Sequence, residues 1–353
     1  RFFLGSNTKR GFVPLFDKLK KPKKGYRFYI LKGGPGSGKS TLMKRVADTL
    51  MEQDHFVEFM PCASDPDSLD AIYDHDAEIV IVDGTAPHIL DPDYPGAYDM
   101  IINMGEAWSG AAIEENKKEI MELSRDISKC HKMATSCIKS AAALLDENRL
   151  NADEYLQQKG IRELAEKLAK ELDEAEAGEE SHRLLSAVTV GKILFFENTI
   201  KSLCNNIYSI RDEWGAVSAS LLSEIRAIAQ RKKIAFTSCY CSIGTPDKID
   251  HILIPSIGLA LNCSNSYHST ESKHEIFANE LMKPVKNYEL ESMLENAQKA
   301  KDLLGMAARH VARAKDLHDE LEKYYISAMD FSRVNVIYQS LMDDILRKID
   351  TGR

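Results

Sequence analysis

At 353 residues the chain is long enough for two domains of ordinary size, each burying its own core. With 44% hydrophobic and 28% charged residues it has a soluble globular composition, and a net charge of -8 argues against a general binder of phosphate backbones, so no nucleic acid is expected as a partner. The longest apolar stretch, "ILIPSIGLALNC" at 252–263, is too short to span a bilayer and is broken by Pro255 and Gly258; it reads as a buried strand with its approach loop, and no membrane is expected.

No charged-then-apolar leader precedes the first strand, which makes a cytoplasmic location the expectation. Seven cysteines without paired C-x-x-C units point to buried thiols rather than to a disulfide framework or a zinc site. Cys239 and Cys241 form a lone C-x-C at the end of a strand-like run, where alternate positions face the same side.

In chain order, the first chemistry lies at 26–50. The strand-like "YRFYIL" (26–31) runs into "KGGPGSGKST", and "STLMKRVADTL" (40–50) follows with Leu42, Val46 and Leu50 at helical spacing. Gly33 to Ser40 fit G-x-x-x-x-G-K-[ST] in the strand, loop and helix context that the motif requires. Gly33, Gly34, Gly36 and Gly38 let the backbone curl around Pro35 and Ser37, so that amide groups point at phosphate oxygens and the helix start adds partial positive charge. Lys39 would reach the β- and γ-phosphates, Ser40 would place its hydroxyl on Mg²⁺, and Thr41 would lie close to the α-phosphate.

An acidic partner follows in "EIVIVDG" (78–84), where β-branched residues lead to Asp83 at the end of a buried strand, placed to complete a metal shell. The catalytic candidates are therefore Lys39 and Asp83, the metal ligands Ser40 and Asp83, and the cofactors ATP and Mg²⁺. ATP is favoured because no guanine-selecting N-K-x-D occurs. No glutamate follows Asp83; instead "DGTAPHILDPDYPG" (83–96) is a polar, proline-rich loop of the kind that closes over a substrate, with Thr85 and His88 facing it. His88 either acts on a substrate hydroxyl or fixes the loop. Asp65, Asp67 and Asp70 in "CASDPDSLDAI" (62–72) suggest a metal cluster or, with Pro66 pre-setting the backbone, a turn capping a helix; the cap is the preferred reading.

The chain then repeats itself at an offset of about 180 residues. "LGSNTKRGF" (4–12) meets "LSAVTVGKI" (185–193), "YILKGGPGSGKSTLMKRV" (29–46) meets "YSIRDEWGAVSASLLSEI" (208–225) without a gap, and "MPCASDPDSLDAI" (60–72) meets "CYCSIGTPDKIDHI" (239–252) after one inserted residue. Cys62 falls over Cys241, and "VIVDGTAPH" (80–88) over "ALNCSNSYH" (260–268) brings His88 over His268. In this register Lys39 becomes Ser218, Gly36 pairs with Gly215, and Asp83 becomes Cys263, so the second copy is expected not to hydrolyse nucleotide.

Small and apolar residues spaced by three and four from Ile120 to Leu144, and again from Ala300 to Tyr325, predict a long helical arm after each half, through which the halves or a second subunit would pack. Arg309, His310 and Arg313 on the second arm are candidates for an arginine finger. The acidic helix at 161–180 reads as a solvated junction, giving domains at 1–178 and 179–353. The expected fold is α/β: two tandem P-loop NTPase-like domains with parallel sheets, each followed by a helical arm.

The combination "TKRGF", "GGPGSGKST", "CASDPDSLDAI" and "VDGTAPHILDPDYPG", followed by "DEWGAVS", "CYCS" and "PDKIDHILIPSIGLAL", resembles a bacterial family of tandem P-loop proteins described as ATPase-like or nucleotide-kinase-like. The resemblance covers nearly the whole chain and implies an intact first domain beside a degenerate second one, without assigning a substrate. "TVGK" at 189–192 departs from the threonine, proline, lysine, glycine run of the family's second copy. The activity expected is ATP hydrolysis or phosphoryl transfer, with a nucleotide-gated interaction protein as the alternative.

Overall fold

The computed structural model describes residues 1–20, 25–86, 88–244 and 247–351; Pro87 of the His88 loop and Thr245 and Pro246 of the repeat lie outside the described residues. A hairpin of β1 (Gly5–Thr8) and β2 (Gly11–Pro14) precedes β3 (Arg27–Lys32), α1 (Lys39–Met51), β4 (Val57–Pro61), β5 (Leu69–Asp74), β6 (Ile79–Asp83), β7 (Asp99–Asn103), α2 (Gly110–Glu115) and α3 (Lys117–Asp153). Then come α4 (Gln158–Leu168), β8 (Glu180–Arg183), a second hairpin of β9 (Ser186–Val188) and β10 (Ile193–Phe195), α5 (Glu197–Leu203), β11 (Asn206–Arg211) and α6 (Ala216–Lys232). The chain ends with β12 (Phe236–Tyr240), β13 (Ile249–Ile254), β14 (Leu259–Ser264), β15 (His274–Phe277), α7 (Asn287–Ala328) and α8 (Phe331–Thr351).

Two compact units result, and they are not cut at residue 178. The first gathers residues 1–5, 14–133 and 309–353, the second residues 6–13 and 134–308. The first unit therefore takes the C-terminal end of α7 together with α8.

In the first unit the strand order is β4-β5-β6-β3-β7. β3 is parallel to both β6 and β7, whereas β4, β5 and β6 run antiparallel in turn. The wholly parallel sheet expected from the motif is thus a mixed one. The reason is loop length: only residues 75–78 join β5 to β6, with Glu78 at φ 54°, and a parallel crossover needs about a dozen residues. β5 also corrects the helix expected after "DPDS". The Asp65 carbonyl and carboxylate do accept the turn amides of Ser68 and Asp67, but Leu69–Asp74 is buried at every position, as suits a strand covered on both faces.

α1 turns Leu42, Met43, Val46, Ala47 and Leu50 onto this sheet, burying them against Tyr29, Leu31, Ile72 and Ile81. α8 closes the same core with Val334, Tyr338, Leu341 and Ile345. Its Tyr338 ring lies 3.8 Å from the Arg45 guanidinium, and its Asp344 accepts the Tyr29 hydroxyl at 2.7 Å.

The second unit has the order β15-β11-β14-β13-β12-β8, the first unit's order with β8 added at the edge. Again the strand before the loop, β11, is parallel to both neighbours, and β12, β13 and β14 are antiparallel in turn. α4, read from its acids as solvated, buries Ile161, Ala165 and Leu168 in the core with Leu221, Leu222 and Ile225 of α6. None of the seven cysteines is in a disulfide.

Candidate functional site

The loop between β3 and α1 carries the phosphate-loop motif, and its geometry follows from its glycines. Gly36 (φ 66°) and Gly38 (φ 85°) occupy the left-handed region, which turns amide groups into the concave side of the loop. Gly34 is required by close approach: a Cβ there would lie 2.7 Å from Tyr325 Cε1 of α7, and one on Gly36 would lie 2.8 Å from Ile326 Cγ1. Gly33 is similarly crowded, by Ser37 Oγ at 2.7 Å.

The Gly36 amide donates to a carboxylate oxygen, Glu322 Oε1, at 3.2 Å. An anion from α7 thus stands on the loop where the motif would hold a phosphate oxygen. Lys39, nine-tenths buried, donates to the carbonyls of Gly33 (3.0 Å) and Gly34 (2.8 Å), and its ammonium lies 3.5 Å from Asp83 Oδ2. Ser37 donates to the Gly34 carbonyl at 2.8 Å, and Ser40 Oγ accepts the Leu69 amide at 3.0 Å. Pro35 is half-buried and Thr41 is exposed on the first turn of α1.

Asp83 is held by Thr85, whose amide donates to Oδ1 at 2.9 Å and whose hydroxyl donates to the same oxygen. Lys32 anchors the following loop through the carbonyls of Gly84 (2.9 Å) and Leu90 (2.7 Å). His88 is buried with its ring 4.9 Å from that of Phe16 and its Nε2 3.3 Å from Asp70 Oδ1. Burial opposes its protonation, but the Asp70 carboxylate outweighs burial and raises the imidazole above its ordinary value.

Asp70, weighed with Asp65 and Asp67 as a metal cluster but read as part of a capping turn, stands with Cys62 beside His88. The antiparallel pair Ala71↔Val82 puts Asp70 and Asp83 one step further along neighbouring strands, and Cys62 follows directly on β4. Burial, then the nearby Asp70 carboxylate, push the Cys62 thiol well above its ordinary value. The signal that could have found them is the repeat, because Cys62, Asp70 and His88 recur as Cys241, Asp250 and His268.

The second unit's loop keeps the gapless register of the first. Residues 33–38 separate β3 from α1 and residues 212–215 separate β11 from α6, because α6 begins two residues earlier. The buried faces match: Leu42, Met43, Val46 and Leu50 of α1 correspond to Leu221, Leu222, Ile225 and Ala229 of α6, so Ser218 stands where Lys39 does and left-handed Gly215 (φ 72°) where Gly36 does. Asp212, buried, fills the loop: its Oδ1 accepts the Gly215 amide at 3.0 Å and its Oδ2 the Ser218 amide at 2.7 Å.

An ammonium is still present, supplied from elsewhere. Lys248 pairs with buried Asp250, and its Nζ lies 3.0 Å from where a Cβ on Gly215 would be. Despite burial, Asp250 and the neighbouring thiols raise the Lys248 ammonium; burial likewise opposes ionisation of Asp250, but Lys248 draws it well below the usual carboxylate range. His268 Nε2 lies 3.5 Å from the other Asp250 oxygen.

The arginine-finger candidates do not reach the first loop. Arg309 and Arg313 are exposed and His310 half-buried, whereas the α7 residues against the loop are Glu322, Tyr325 and Ile326.

A family model described as novel STAND NTPase 3 matches residues 13–85, the stretch that contains β3, the loop, α1 and Asp83. The match supports an NTPase-like domain at this site. Comparison with curated proteins finds no match, and comparison with solved structures finds none. Among the described residues no helix is long and apolar enough to cross a membrane.

Proposed function

We propose that the first unit is an ATP-binding NTPase site working with Mg²⁺, and that the second unit is a disarmed copy of the same P-loop architecture. One observation carries this reading: an amide of the loop already grips a carboxylate oxygen, 3.2 Å from Gly36 N, in a motif whose lysine and acidic partner stand 3.5 Å apart. Residues 33–38 would cradle the phosphates with Lys39, Thr41 would flank them, and Ser40 and Asp83 would hold the metal. Bound ATP with Mg²⁺ would supply the phosphoryl group. Thr85, on the loop after Asp83, would hold the Asp83 carboxylate toward the metal. Calorimetry with Mg²⁺ and ATP, together with phosphate release, tests the reading: magnesium-dependent binding that Lys39→Ala removes is expected, and equal binding by both proteins would reject it.

A second reading, nucleotide-gated interaction, is favoured by the same α7 contact. Triphosphate and Glu322 would compete for the Gly36 amide, so binding would release the end of α7 from the loop. Protease cutting near residues 322–330 that rises with ATP, with little turnover, would support this reading over hydrolysis.

A further inference from the structure

We propose that Cys62, Asp70 and His88 form a binding site for a thiophilic divalent cation of the zinc type, in the place that the Lys248 ammonium takes in the second unit. One ligand atom from each of the three residues lies within 4.8 Å of the other two. Sulfur, imidazole nitrogen and carboxylate oxygen form a donor set suited to zinc rather than magnesium, and three protein ligands leave one position for water. Cys62 follows β4, Asp70 lies near the start of β5 and His88 is on the loop after β6, with Asp70 and His88 both more than nine-tenths buried. Asp70 Oδ2 is buried with no hydrogen-bond partner.

The second unit says what charge belongs there. Cys241, Asp250 and His268 occupy the matching strand ends, and Lys248 puts an ammonium on the carboxylate and near the thiol. The backbone bond that fixes this position recurs in both units, since the Cys241 amide donates to the Lys248 carbonyl at 2.8 Å and the Cys62 amide to the Ser68 carbonyl at 3.1 Å. Where the second unit has lysine, the first has neutral Ser68. Lys39 is occupied by the loop carbonyls and Asp83, and a buried carboxylate wants a counter-charge of its own. As the metal–sulfur and metal–nitrogen bonds form, the Cys62 thiol proton and any imidazolium proton of His88 pass to solvent, so affinity rises with pH.

Two other clusters are weaker. In His55, Asp74 and Asp76, Asp74 is spent on the imidazole at 2.7 Å and on the amides of Asp76 and Ala77, and His318, Asp319 and Glu322 lie along one partly exposed helix face.

The test is titration of the full chain, stripped with chelator, with Co²⁺ as the spectroscopic probe. One equivalent should bind with a thiolate-to-cobalt charge-transfer band that Zn²⁺ bleaches. Cys62→Ala should abolish the band, His88→Ala should weaken binding by about tenfold or more, and Ser68→Lys, which imports the second unit's cation, should abolish binding. The band should survive Lys39→Ala, so loss of the nucleotide reading leaves this one standing. Cobalt binding without a thiolate band, or a band that persists in Cys62→Ala, would overturn the proposal; should Ser68→Lys fail to fold by circular dichroism, the Cys62→Ala spectrum decides.

Discussion

Two loops leave corresponding strands of two sheets with the same strand order, and each meets a carboxylate, but the carboxylates come from different places. In the second unit Asp212 lies within the loop and takes two of its amides at 3.0 and 2.7 Å. In the first, Glu322 arrives from 286 residues away and takes one amide at 3.2 Å. A carboxylate that belongs to the loop cannot leave without unfolding it, whereas one on a separate helix can. The cations differ as well: Lys248 is fixed on buried Asp250, while Lys39 donates to two backbone carbonyls and lies 3.5 Å from Asp83. One loop is satisfied by a residue of its own, and the other by a side chain of α7.

The sharpest way to break this comparison is to remove each lysine and measure stability. Lys248→Met leaves Asp250 buried with only the His268 imidazole beside it, for which the expected loss is about 3–5 kcal/mol, read as a fall in urea midpoint. Lys39→Met should cost much less, because its removal leaves carbonyls and a partly exposed Asp83 rather than a sealed charge. Equal losses would mean that the second cluster is not the structural one.

Acid should find the second unit first. His251 lies between the rings of Phe195 (5.3 Å) and His268 (5.0 Å), and burial, reinforced by His268 and Lys248 against Asp250, lowers its imidazole to about 3. The unfolded chain takes up this proton near pH 6.5 and the folded chain does not until about 3, so the unfolded state binds more protons between those values. Stability is therefore fully present above pH 6.5 and falls as pH drops, by about 3 kcal/mol at pH 4.5. His251→Phe should flatten the urea midpoint between pH 6.5 and 4.5; an unchanged slope would place the titration elsewhere.

Lys39→Ala should weaken binding of ATP with Mg²⁺ by about ten- to a hundredfold, the worth of ~1.5–3 kcal/mol for a charged hydrogen bond. The corresponding change in the second unit, Ser218→Lys, should confer no binding, because Asp212 keeps the amides. Calorimetry on both variants reads the difference directly.

These contrasts were unevenly legible in the chain. The first loop is a local motif, and β3, α1 and β6 follow its expected strand, loop and helix pattern because its chemistry and its backbone needs coincide in consecutive residues. β5 was hidden by a strong turn signal, Asp65-Pro66-Asp67-Ser68, since burial of all six following residues on both faces leaves no alternation to read. The gapless register holds through α6, but it does not show that Asp212, opposite Gly33, folds back onto the amides of Gly215 and Ser218. The α7 contact was out of reach, because the small-residue spacing of 300–325 predicts a helix and an apolar seam but not which polar residue at its end meets a loop. Lys248 escaped because it stands opposite Ser68, whose neutral side chain suggests no cation at that position.

The smallest effect is the one that separates a poised loop from a blocked one. Glu322 is about one-third exposed at its side chain and makes one charge-assisted bond to Gly36, so water already competes for it and its hold is worth about 1 kcal/mol. Glu322→Gln keeps the shape but weakens the acceptor, and Glu322→Ala removes it. If nucleotide and carboxylate compete, apparent affinity for ATP should tighten by about fivefold in the alanine variant and less in glutamine, since relieving a competing state raises the competent fraction by that ratio. Tyr325 and Ile326 keep α7 against the loop in both variants, so neither change should move the urea midpoint much. Weaker ATP binding in both variants would instead make Glu322 part of the nucleotide site and would turn the arm from a gate into a wall of the pocket.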